Sequence, residues 1–113
     1  MVILSTYSGC LSGQEGFEWP EPESWECSVE SQKNFSCTKY LDAFQSPILS
    51  LRHPLGEELW IVELSGKISS WNGSTITEVA DISDMISNCH YEQGLLGVAF
   101  DEDFTTSSSI LLS

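Results

Sequence analysis

The pattern of apolar and polar positions changes character near residue 46. From residue 11 to about 40 the chain is rich in Gly, Ser, Pro and Glu, as in Trp19-Pro20-Glu21-Pro22-Glu23-Ser24. Prolines and closely spaced acids disfavour helix and strand alike, which predicts an irregular extension. Phe17, Trp19, Trp25 and Phe35 interrupt that polarity, and so many aromatics suit an extension packed onto a neighbouring domain. From Ser46 onward, short apolar runs alternate with turn signals. Pro47 to Arg52 is one run, closed by His53-Pro54, and Glu58 to Leu64 is a second, rich in β-formers. Ser65-Gly66 and Asn72-Gly73 read as two-residue links to Lys67–Trp71 and Ser74–Ala80. Asn-Gly between β-rich runs is a strong hairpin signal, because both residues tolerate positive φ. Residues 46–80 are therefore expected to form a four-stranded antiparallel meander.

In the second of these strands Trp60, Val62 and Leu64 point one way and Leu59 and Ile61 the other. A sheet wet on one side alternates more cleanly. Apolar groups on both faces suit a sheet stacked between two others, as in a propeller blade, or a β-sandwich strand near an interface. Residues 81–87 read as a connection with a helical turn capped by Ser83. Gly94 to Phe100 reads as a further strand, Asp101 to Phe104 as a turn, and Ile110 to Leu112 as the start of a partner strand. An apolar hairpin edge left open at the last residue is what a complete domain avoids, so the chain is expected to be part of a longer one.

Composition adds constraints. Among 113 residues, 17 acids face 4 bases, for a net charge of −13. That charge disfavours nucleic acid and anionic lipid surfaces as partners and reads as a solvated surface. No apolar run approaches the ~20 residues of a membrane span. The four cysteines, Cys10, Cys27, Cys37 and Cys89, form no CxxC pair, and neither His53 nor His90 lies at a zinc-like spacing from them. Cys27 and Cys37 are close in a polar stretch, and a disulfide between them would staple a short loop in an oxidising compartment; free thiols are the alternative. Ser8-Gly9-Cys10 resembles the end of a lipoprotein signal, which makes Cys10 a lipidation candidate and residues 1–10 a remnant of such a segment, although its charged and long apolar parts are missing. Asn34-Phe35-Ser36 and Asn72-Gly73-Ser74 match the N-glycosylation pattern, and the second is also explained by its turn. Asp101, Glu102 and Asp103 lack the alternating ligand spacing of a calcium loop.

The most specific stretch is Glu92-Gln93-Gly94-Leu95-Leu96-Gly97-Val98-Ala99-Phe100-Asp101-Glu102-Asp103-Phe104. It resembles the E-x-G-L-L-G-x-A-F-x-P-D-F signature of the glucose/sorbosone dehydrogenase family, with Glu102 where proline is usual. Pro47, the strand Leu59–Glu63, the turn Gly66-Lys67-Ile68 and Asp81-Ile82-Ser83 fall in the family's order, so the resemblance covers residues 43–113. It implies an all-β fold: the first blade and the start of the second of a six-bladed β-propeller, preceded by the irregular acidic extension of residues 11–42.

What the resemblance implies about function is an exported sugar or aldehyde dehydrogenase dependent on pyrroloquinoline quinone (PQQ) and calcium, extracellular, periplasmic or anchored at the cell surface. In that family a histidine base takes the proton of a sugar hydroxyl while hydride passes to the quinone. The family's catalytic histidine lies in a later blade, so no catalytic residue is expected here, nor any cofactor bound to this chain alone. His90 reads as an exposed loop residue. Glu92 is the one candidate carried over, as a channel-facing acceptor for a sugar hydroxyl; its alternative is to fix the loop through backbone N–H groups. Gly94 and Gly97 would let the backbone pass close to the channel, with Leu95, Leu96, Val98 and Phe100 packed between blades. The competing function is a non-catalytic extracellular propeller that binds a protein or glycan. Fold alone does not choose between them.

Overall fold

The computed structural model describes residues 18–22, 36–87, 89 and 92–113, and the fold is all-β with antiparallel sheets. Four strands, β1 (Pro47–Arg52), β2 (Leu59–Glu63), β3 (Lys67–Trp71) and β4 (Ile76–Asp81), form one sheet in the order β1-β2-β3-β4. Two shorter strands, β5 (Val98–Phe100) and β6 (Ile110–Leu112), pair as a hairpin. A 3-10 turn at Ser83–Met85 lies between β4 and β5, and a one-turn helix α1 (Phe104–Ser107) between β5 and β6.

The meander is as expected, but the residues at both tight turns differ from those expected. Val62 pairs with Ile68, so β2 and β3 are joined by three residues, Leu64, Ser65 and Gly66, and not by two. Gly66 has φ +99° and its N–H bonds the Glu63 carbonyl, which gives a three-residue hairpin closed by a left-handed glycine. At the next hairpin Trp71 pairs with Ile76, which puts Gly73-Ser74 at the tip in place of Asn72-Gly73. The Asn72 side chain explains the shift. Its Oδ1 accepts the N–H groups of Ser74 at 3.0 Å and Thr75 at 2.8 Å, so Asn72 precedes the turn. Gly73 takes the positive φ, +100°. A Cβ there would meet nothing within 4 Å, so Gly73→Val isolates the cost of backbone strain. Urea unfolding should show a loss of about 1 kcal/mol or slightly more.

Both outer strands of the meander carry an irregularity. Pro47 pairs with Glu63 and Leu49 with Val62, leaving Ile48 as an extra residue; Ile68 pairs with Ala80 and Ser69 with Glu78, leaving Val79 extra. Bulges of this kind interrupt an exposed edge and discourage further strand pairing.

Each face of β2 and β3 is covered by a different part of the chain. On one face Trp60, Val62 and Ile68 join Ile82, Leu95, Val98, Ile110 and Leu112 in a single core, so the β5–β6 hairpin lies over the first sheet. Val62 and Ile68 are 0% exposed. Side chains of that size contribute ~1.5–3 kcal/mol each when fully buried. On the other face Ile61, Glu63 and Ser69 are also buried. There the segment 36–46 approaches: the Tyr40 ring meets Trp71 edge-on at 5.0 Å, and the Gln45 N–H bonds the Glu63 carboxylate. Residues 36–46 thus help cover a sheet face; of the aromatics singled out in the extension, Phe17, Trp25 and Phe35 lie outside the described residues.

Two local expectations are corrected. Ser83 does not cap the turn after β4; Asp81 Oδ1 accepts the Ser83 N–H at 3.0 Å, and the residue before the turn is Ile82. A carboxylate reaches two residues ahead more readily than a hydroxyl, and it forms an Asx-type turn. The strand expected from Gly94 is confined to Val98–Phe100, because residues 94–97 serve to dock the connection.

Candidate functional site

Leu95, the residue after Gly94, donates its N–H to the Leu64 carbonyl at 2.8 Å, and Ile82 donates to the Gly66 carbonyl at 3.0 Å. The connection from β4 to β5 is thereby held across the β2–β3 turn at both of its ends. Gly94 is the point of closest approach. A Cβ there would overlap the Leu64 carbonyl oxygen and lie 2.7 Å from both Cγ and Cδ1 of Leu64. At Gly97 a Cβ would meet only the Ser113 hydroxyl, at 2.7 Å, and a hydroxyl can rotate away. The two motif glycines therefore carry different constraints: the first is required by backbone packing, the second by a movable side chain. Leu95 and Val98 face the core and Phe100 lies at its rim, but Leu96 is exposed, contrary to the expected packing. Alternate residues of extended backbone face opposite sides, and Leu95 already occupies the inner one.

Glu92 is exposed on this connection, two residues before Gly94. Its carboxylate accepts no hydrogen bond from any described residue, so nothing described ties it to a loop-fixing role. Nearby, Ser87 Oγ lies 3.1 Å from Gln93 Oε1 and 3.5 Å from Cys89 Sγ. His90 lies outside the described residues.

A second feature, not picked out in the sequence, is a row of charges at the same end of the meander. The Val62–Ile68 pairing places Glu63 opposite Lys67 across the β2–β3 turn, and Lys67 pairs with Asp81. Glu63 is 5% exposed, and desolvation by burial raises its carboxyl above the usual 4.5, opposed by the Gln45 N–H and by Lys67 and reinforced by Asp81. Asp81 is exposed, and its hydrogen bonds with Ser83 hold its carboxyl below the usual value. The sequence signal for this row is a lone acid ending an apolar strand, four residues before a lysine. Because folding raises the Glu63 pKa, its contribution is complete below about pH 4.5 and is lost as pH rises through the higher native value. Glu63→Gln keeps an acceptor for Gln45 and removes the titration. Its unfolding midpoint in urea, relative to the parent chain, should rise progressively from pH 4 to pH 7.

Four rings bridge the two sheets. His53 lies 5.5 Å from Trp60, 5.3 Å from Phe100 and 5.3 Å from Phe104, and Trp60 lies 4.9 Å from Phe100. His53 Nδ1 accepts the Leu55 N–H at 3.1 Å, which sets its ring orientation. The Trp60 indole N–H is buried and meets no acceptor among the described residues.

Cys37 and Cys89 are both disulfide-bonded. Cys10 and Cys27 lie outside the described residues, as do the lipidation candidate and the proposed Cys27–Cys37 partner. Among the described residues no group of three His, Cys, Asp or Glu side chains could hold a metal ion. Asp101 is engaged in its own turn: bonds with Ser107 and with the Asp103 N–H lower its carboxyl. The calcium that the resemblance implies therefore has no ligand set in these residues. No described helix is long and apolar enough to cross a membrane.

Compared with family models, with curated proteins and with solved structures, the chain matches none.

Proposed function

We propose that residues 43–113 are the first blade and the start of the second blade of a β-propeller of the glucose/sorbosone dehydrogenase type. On this reading they belong to an exported PQQ-dependent sugar or aldehyde dehydrogenase. One observation carries the reading most: the backbone contact between Gly94 and Leu64. It gives a physical reason for the first glycine of the Glu92–Phe104 motif, and the shared core beneath it puts the following hairpin against the preceding sheet, an arrangement compatible with consecutive blades. The disulfide-bonded Cys37 and Cys89 support an oxidising compartment. Quinone and calcium would supply the oxidising chemistry, and the described residues offer no cluster of ligands for the calcium. What this chain brings is Glu92, an exposed carboxylate that no described residue engages, on the loop entering β5 and suited to accept a hydrogen bond from a sugar hydroxyl.

The test is dye reduction by the whole protein with aldoses, quinone and calcium. Glu92→Gln should lower kcat/KM at least about tenfold, the order expected for losing one charge-assisted hydrogen bond, and should leave stability unchanged. Residues 1–113 alone should show no turnover. Activity in the isolated chain, or an unaltered Glu92→Gln enzyme, would count against this assignment.

A further inference from the structure

We propose that Asn72 is an N-glycosylation acceptor that carries an oligosaccharide at the β3–β4 hairpin tip. The hairpin accounts for two residues of Asn72-Gly73-Ser74 and leaves the third unexplained. The turn needs the Asn72 side-chain oxygen as an acceptor and Gly73 for its positive φ. It uses Ser74 only through its main-chain N–H, which any residue other than proline would supply. The Ser74 hydroxyl makes no bond to a described residue, and a hydroxyl at that position is what the acceptor pattern adds.

The geometry leaves the reacting atom available. Because Asn72 Oδ1 takes both backbone N–H groups, Nδ2 is the atom turned away from the hairpin, and it donates to none of the described residues. Residues 72–79 are all exposed, and the space around the Gly73 Cα is open to 4 Å. Asn72 thus stands at an exposed hairpin tip, where a bulky group on Nδ2 can extend toward solvent. Transfer from a lipid-linked oligosaccharide diphosphate balances simply. Nδ2 loses a proton and bonds C1 of the first sugar, the C1–O bond breaks, and the lipid diphosphate leaves with the electron pair. The disulfides at Cys37 and Cys89 supply an independent reason to expect passage through a compartment where such transfer occurs, so the proposal does not depend on the quinone reading. The glycan would also stand beside β4, an exposed edge strand carrying Ile76 and Val79, and hinder its pairing with another chain.

The experiment is secretion of the full chain from a eukaryotic cell, followed by peptide mapping before and after peptide N-glycosidase. The expected result is a glycan on the Asn72 peptide, retained in S74T and entirely lost in S74A. The urea midpoint of S74A should match that of the parent chain produced without glycosylation in bacteria, which keeps Asn72, because the turn does not use the hydroxyl. An unmodified Asn72 peptide in the secreted parent, whether or not Asn34 is glycosylated, would overturn the proposal, as would a glycan that persists in S74A.

Discussion

Gly94→Val should destabilise the chain by about 3 kcal/mol or more, the largest loss expected from any single change on the β4–β5 connection. The added Cβ would overlap the Leu64 carbonyl oxygen and crowd Leu64 Cγ and Cδ1 at 2.7 Å. Backbone oxygen cannot rotate aside as a side-chain tip can, so the connection would have to lift. Lifting breaks the Leu95 N–H bond to Leu64 and draws Leu95, which is 2% exposed, out of the core. Gly97→Ala supplies the contrast. Its Cβ meets only the Ser113 hydroxyl, and its cost should stay below about 1 kcal/mol. Unfolding in urea followed by far-ultraviolet circular dichroism distinguishes the two; equal losses would mean that the glycines share one role.

Trp60→Ala should cost about 3–5 kcal/mol, the range for removing a large buried aromatic. Trp60 is 8% exposed and packs between β2 and the second hairpin, against Phe100 and His53. Against an ordinary domain stability of 5–15 kcal/mol, that loss alone brings a marginal chain close to unfolding. Trp60→Phe should behave differently. It gives up part of the indole's area but also removes a buried N–H that has no acceptor among the described residues. An orphaned buried donor costs ~1–3 kcal/mol, so the two changes largely cancel and the net effect should lie within about 1 kcal/mol. Thermal or urea unfolding of both variants, run side by side, checks this. A Phe variant as damaged as the Ala variant would show that the indole nitrogen has a partner.

The strands of the meander were legible because β-branched and aromatic runs alternate with Gly- and Asn-marked turns. Their register was less so. Reading Ser65-Gly66 and Asn72-Gly73 as the turn residues puts the pairing one residue off in the first hairpin and two in the second, since dipeptide signals mark where a turn falls and not which residue the side chains recruit. At Asn72 the amide oxygen captures two N–H groups and moves the turn forward; at Gly66 the left-handed residue closes a three-residue loop. Both-faced apolarity in β2 correctly indicated cover on two sides, but sequence could not name the covers: the second hairpin on one, residues 36–46 on the other. Glu63 escaped notice for a similar reason. A strand-end acid reads as solvated until the chain that covers it, here Gln45, is placed in space. Glu92 and its motif stood out by pattern, whereas the difference between Gly94 and Gly97 depends on what lies opposite each.

The proposed start of a second blade at the β5–β6 hairpin is open to a direct test. An experimental structure of the protein with its sequence continued past Ser113 tests it most directly. The expected result is that the free edge of β6 is paired with a further antiparallel strand in a new four-stranded sheet. That sheet would face the Trp60–Val62–Ile68 side of the first, with β5 innermost and Glu92 at the mouth of a central channel. A β5–β6 hairpin that remains two-stranded, or that joins the first sheet in a closed sandwich with Glu92 facing bulk solvent, would contradict the account.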